Sequence, residues 1–307
     1  MSDRYHYFSH IEDLSSGTLL LTDPFVKDES RALLCRYALH RQTAELLAPD
    51  PRTSGLASWH RLLPLDRGIP QRTDAVLTLA DAASPFTDRV ARLLWGEYDA
   101  RLPYEIAFPM AHACGWSAAK VDGEEHQLGA FLKHPTSEGM ACFTESCPES
   151  VSAADFGPWG NPYRLEGLKL IGLEIMHRFA DVMPTLVVAD PNGELAAGLL
   201  LASESARAFS PKRVPYRIIL LQKEPFAGLC LRFEGVTNAD LPNTPKFPIV
   251  EAMASWLIAG INDHLGTAIV LEEMETDPFG AALETLTKTG FVDDEDTVIL
   301  LQAPPPS

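Results

Sequence analysis

Long apolar runs, paired cysteines and positive charge are all scarce in this sequence. No apolar stretch in its 307 residues approaches the roughly 20 that a membrane-crossing helix needs, so no helical membrane span is expected. The opening residues Met1-Ser2-Asp3-Arg4-Tyr5-His6 do not read as a signal peptide, and a cytoplasmic protein is expected. The five cysteines (Cys35, Cys114, Cys142, Cys147, Cys230) are an odd set without paired spacing, which argues against a disulfide framework and against a zinc site. Against 42 Asp and Glu stand only 25 Lys and Arg, a formal net charge of −17. That balance disfavours nucleic acid and anionic membranes as partners. A phosphorylated ligand would need a local cluster of basic groups or amides, working against the overall field.

What is present is ordinary for a folded protein: 46% apolar and 22% charged residues, in a chain long enough for one large domain or two lobes. The most informative stretch is Gly160-Asn161-Pro162-Tyr163-Arg164-Leu165-Glu166-Gly167. It reads as a turn, because Gly and Pro interrupt regular structure and Pro162 biases Asn161 away from helix. A helix is expected to follow, with Leu168, Ile171, Leu173, Ile175 and Met176 at helical spacing and His177 and Arg178 in its last turn. Residues 184–189 then form a short apolar run, Asp190-Pro191-Asn192-Gly193 a turn, and residues 195–202 a second apolar helix. Helix, buried strand, glycine-bearing turn and helix are the sign of a parallel α/β layer.

Farther along, a strand is expected at 216–222, a long helix at 247–261, a helix at 278–288 capped by Gly290, and a terminal strand at 297–301. Toward the other end, residues 49–72 read as a long connection. Strands are expected at 74–79, 104–109 and 118–123, with an amphipathic helix at 86–94.

Asn161-Pro162-Tyr163-Arg164-Leu165-Glu166-Gly167 followed by an amphipathic helix resembles a segment of threonine synthases, pyridoxal-phosphate (PLP) enzymes of fold type II in the tryptophan-synthase-β-like group. Ser15-Ser16-Gly17-Thr18-Leu19 resembles the Gly-x-Thr-Pro-Leu turn near the start of these enzymes, and Lys27-Asp28-Glu29-Ser30 the strand end before their catalytic loop. The resemblance implies an α/β, two-lobed fold type II PLP-enzyme architecture of mostly parallel sheets flanked by helices. It implies a smaller lobe at 73–155 and a larger, discontinuous one from 1–72 and 156–307.

Four PLP contacts of the family lack counterparts. The Schiff-base lysine position falls near Ala38, where the nearest titratable group is His40, and imidazole forms no stable imine. The ring-facing Ser-x-Gly-Asn turn is replaced by Ala82-Ala83-Ser84-Pro85. The phosphate cradle becomes Asp190-Pro191-Asn192-Gly193-Glu194, where Pro191 offers no N–H and two carboxylates repel an anion by about 1 kcal/mol each. The serine that meets the pyridine nitrogen has no equivalent near Asp293-Asp294-Glu295-Asp296, which reads as a solvated turn. No cofactor is therefore expected.

Asn161, Arg164 and Glu166 remain as candidate substrate-binding residues at the lip of the cleft, Arg164 offering a bidentate fork to a carboxylate. The alternative is that Arg164 and Glu166 only pin the turn to its neighbours. His134 and Glu145 form a candidate acid/base pair, with His40 as a further candidate catalytic group. His112 and Cys114 read as packing residues.

Three functions fit this pattern. The first is a threonine synthase-like scaffold without PLP that binds or transforms a small carboxylate-bearing, amino-acid-like molecule in specialised biosynthesis. The second is an inactive relative that supports another protein, with a homodimer or a PLP-active paralogue as candidate partner. The third is a PLP-dependent lyase or synthase that uses an unusual lysine.

Overall fold

The computed structural model describes residues 8–20, 32–38, 48–51, 58–59, 62–63, 78–81, 89–94, 118–121, 124–127, 153–155, 162–190, 193–209, 214–222, 251–263, 267–270 and 278–302. The central element is a six-stranded sheet in which the strand order is decided by burial. Strand β9 (Thr185–Ala189) is buried at every residue and sits in the middle. A strand covered on both faces reads as one continuous apolar run, as Leu186-Val187-Val188-Ala189 does. Its neighbours β10 (Arg217–Gln222) and β12 (Val298–Gln302) have the same character and run parallel to it. β11 (Thr267–Val270) extends the sheet beyond β10, and β5 (Val90–Leu94) extends it beyond β12. β4 (Thr78–Asp81) closes the far edge as the one antiparallel strand, giving the order β11-β10-β9-β12-β5-β4.

Four helices are described, and three of them separate successive parallel strands. α1 (Pro162–Arg178) precedes β9, and α2 (Glu194–Phe209) joins β9 to β10. α3 (Glu251–Asp263) lies between β10 and β11, and α4 (Pro278–Lys288) between β11 and β12. α4 covers the sheet face formed by Val187, Ala189, Ile219, Leu221, Val298 and Leu300, against which Phe279, Leu283 and Leu286 pack. The alternate residues Leu186, Val188, Ile218, Leu220, Ile299 and Leu301 are equally buried on the opposite face. α4 ends where the sequence says it should. Gly290 takes φ +69°, the Phe291 N–H donates to Leu286 O at 2.8 Å and the Gly290 N–H to Thr287 O at 3.0 Å, a Schellman cap.

Two smaller sheets lie outside this layer. One has the order β2-β1-β3, formed by β1 (Phe8–Asp13), β2 (Thr18–Leu20) and β3 (Leu33–Tyr37), all antiparallel. Gly17, at φ +66°, turns the β1–β2 hairpin, and the buried Asp13 carboxylate accepts from the Ser15 N–H and the Ser16 hydroxyl. The other has the order β7-β6-β8, formed by β6 (Ala118–Val121), β7 (Glu124–Gln127) and β8 (Ala153–Asp155).

Two expectations are corrected. The helix expected over 86–94 is strand β5 from Val90 onward: Val90, Leu93 and Leu94 satisfy a helical spacing, yet a run this short fits either period, and pairing with β12 decides it. The turn expected through Gly167 is also helix, since α1 begins at Pro162. Proline fits the first helical position because its missing N–H has no intrahelical partner there. The helical cost of Gly167, about 1 kcal/mol, is outweighed by burial of Leu165, Leu168, Leu170, Ile171, Leu173 and Ile175. β4 and β5 hydrogen-bond into the same sheet as β12. The strand expected at 104–109 lies outside the described residues.

α1 and α2 cross at close range. A Cβ added to Gly198 would lie 2.5 Å from Leu168 Cβ, and one added to Gly172 would lie 2.6 Å from Ala202 Cβ. The buried Tyr216 anchors the crossing by donating its hydroxyl to Leu199 O at 2.7 Å.

Candidate functional site

Where α1 and α2 meet β3, the core stops being apolar. Glu166 and Lys169 stand three residues apart on α1, hence on one face, and both are fully buried at 0% and 1% exposure. Lys169 Nζ donates to Glu166 Oε2 and, at 2.6 Å, to Leu62 O, and it sits 4.0 Å from the centre of the Tyr37 ring. The Tyr37 hydroxyl donates to the same Glu166 Oε2 at 2.5 Å. Oε2 thus takes two donors, while Oε1 is buried without a hydrogen-bond partner. Burial pushes the Glu166 carboxyl above the usual carboxylate range, and the Lys169 charge and the hydrogen bonds from Lys169 and Tyr37 pull back against it.

These groups line a cavity of about 130 Å³ that also touches Cys35 and Arg36 of β3 and Glu204 and Ser205 of α2. Arg36 is held between Glu12, at 2.5 Å, and Glu204, at 3.0 Å. Glu204 also accepts from the Trp256 indole N–H at 3.0 Å. Arg36 and Glu204, a quarter and a third exposed, form the solvent side, and Glu166 and Lys169 the interior side. Burial, then the nearby Glu166 charge, pushes the Cys35 thiol well above its ordinary value. Cys35 therefore stays protonated and is no nucleophile.

A buried ion pair contributes little net stability, because desolvating both charges offsets their attraction, and it is tolerable only when every lone pair is met. Here one carboxylate oxygen is left over on a residue that lines a space large enough for a small molecule. The same walls carry two cations, Arg36 and Lys169, each already paired with a carboxylate.

Of the residues expected from the sequence to bind substrate, Glu166 lines this cavity. Arg164 lies in the first turns of α1, and its side chain and Asn161 are outside the described residues, as are His40, His134 and Glu145. Lys169, Tyr37 and Arg36 were not singled out. The available signal was Lys169 itself: α1 is apolar on nearly every side, so a lysine three residues from a glutamate needed a buried partner.

The turn after β9 tests the coenzyme that the fold type II resemblance implies. Asp190, 1% exposed, accepts the Ala196 N–H at 3.1 Å and so occupies the amide-rich start of α2 where a phosphate would sit. Glu194 is buried beside it. Two interior carboxylates at one helix N-terminus do not fit a PLP phosphate.

Burial pushes the Asp190 carboxyl up to about 6, with Glu194 adding to the effect and the amide hydrogen bonds opposing it. The folded state therefore binds its proton more tightly than the unfolded one. The resulting stability is complete below about pH 4 and is lost as pH rises through about 6. Urea midpoints for Asp190→Asn are expected to remove part of that decline between pH 4 and 6, and a variant whose slope matches the wild type would contradict the assignment.

Among the described residues no group of three or more His, Cys, Asp or Glu could hold a metal ion, and no helix is long and apolar enough to cross a membrane. No family model matches the chain, and no curated protein matches it at a significant level.

Proposed function

We propose that this chain is a threonine synthase-like α/β scaffold without PLP, whose β3–α1–α2 cavity binds a small carboxylate-bearing, amino-acid-like molecule. The observation that carries the reading is that buried Glu166, whose Oε1 has no hydrogen-bond partner, lines the cavity together with Lys169 and Arg36. A zwitterion or a hydroxy acid offers a donor for Glu166 and an anion that exchanges with Glu12 and Glu204 at Arg36. At about 130 Å³ the space is small beside the roughly 300–1,000 Å³ of drug-sized sites, which restricts the ligand to a few heavy atoms.

The test is thermal unfolding against a panel of small amino, hydroxy and oxo acids. A ligand at about 100 times its Kd adds roughly 2.7 kcal/mol, worth a rise of about 5 °C for a chain of this size. Glu166→Gln, measured against its own unliganded melting point, is expected to abolish most of the rise. No shift from any member of the panel would refute the pocket.

A further inference from the structure

We propose that Lys169 is an imine-forming amine, and that the cavity holds a small 2-oxo acid covalently through it. The inference rests on the pocket reading above and adds a bond to it. Lysine, unlike arginine, becomes a nucleophile once it gives up a proton to a base in contact with it. Lys169 already donates to the group that would take that proton, Glu166 Oε2. Lys169 is also one of the residues that line the cavity.

The step balances without any further reagent. Lys169 passes one proton to Glu166, and the freed lone pair attacks the ketone carbon, forming the C–N bond while the C=O π pair moves to oxygen. Glu166 returns the proton to that oxygen and then takes a second one from nitrogen. It delivers this second proton to the hydroxyl, the C–O bond breaks, and water leaves. The product is a protonated imine beside a carboxylate, so the buried pair begins and ends as one cation and one anion. No uncompensated interior charge is created, which is what makes the reaction affordable at this depth. Oε2, which Lys169 already meets, carries these protons. The substrate carboxylate exchanges with Glu12 and Glu204 at Arg36.

The probe is pyruvate with sodium cyanoborohydride on the folded full chain, read by intact mass and peptide mapping. The expected result is a single adduct, the mass of pyruvate less water plus two hydrogens, mapping to Lys169. Lys169→Arg keeps the cation and is expected to lose the adduct. Should that variant not fold, the wild-type peptide map decides alone, because surface lysines label equally in folded and urea-unfolded protein whereas Lys169 is favoured only in the folded state. Labelling spread over surface lysines, or none, overturns the imine. If amino acids still raise the melting temperature in that case, the binding pocket stands without it. Loss of both the adduct and the melting shift removes both readings.

Discussion

Lys169→Met is expected to cost about 3–5 kcal/mol of stability at neutral pH, the largest single-residue effect outside the apolar core. Methionine fills the volume, so the loss is electrostatic: Glu166 keeps the Tyr37 hydroxyl but loses its ion pair with Lys169. Removing one partner from a buried pair costs more than removing both, because the survivor is left charged in a medium that cannot solvate it. Two consequences separate this from simple cavity damage. The deficit is expected to shrink as pH falls, since protonating Glu166 removes the unpaired charge. Adding Glu166→Gln to Lys169→Met is expected to recover most of the loss, because an amide still accepts from Tyr37. Urea unfolding of the two single variants and the double variant measures both effects. A Lys169→Met cost under about 1 kcal/mol, or no recovery in the double variant, would mean that the pair is not buried as described.

Gly198→Ala is expected to destabilise by about 2 kcal/mol, against the direction of intrinsic helix propensity. In an exposed helix the change would gain about 1 kcal/mol. Here the new methyl would meet Leu168 Cβ at 2.5 Å, Leu168 C at 2.7 Å and the Lys169 amide nitrogen at 2.9 Å. Two of those atoms are backbone and cannot rotate away, so α1 and α2 must separate, and overpacking of this kind costs about 1–3 kcal/mol or more. The displaced backbone is the segment that carries Lys169, so ligand-induced melting shifts should weaken along with stability. Gly280→Ala is the control, because nothing lies within 4 Å of its added methyl and helix propensity should prevail. A Gly198→Ala variant as stable as wild type in urea would show that the crossing has slack.

The parallel layer was legible wherever one local signal governed. Residues 184–189 are too uniformly apolar for anything but a strand covered on both faces, and β9 is that strand. Gly290 announced the end of α4 because only the left-handed conformation lets the last carbonyls find donors. Reading failed where tertiary contacts outvoted local preference. Pro162 and Gly167 look like a turn in isolation, and only burial against α2 makes them helix. Val90–Leu94 carries no period of its own, and its partner β12 lies far away in sequence.

The site was half legible for the same reason. Glu166 stood out in its short motif, but an amphipathic helix is expected to keep a lysine such as Lys169 on its polar side. That reading assumes water on one side of α1, and the packing of α1 between β3, α2 and the Trp59 and Leu62 segment removes it.

The pairing of β12 with β5 has a consequence for biosynthesis. Val298 lies beside Val90, with roughly 200 residues made in between, so at about 5–20 residues per second the ribosome leaves that edge waiting for about 10–40 seconds. Until then β9 and β5 each present an open row of amides and carbonyls for other chains to pair with. β12, the last of the described strands in the sequence, is the rivet between β9 and β5.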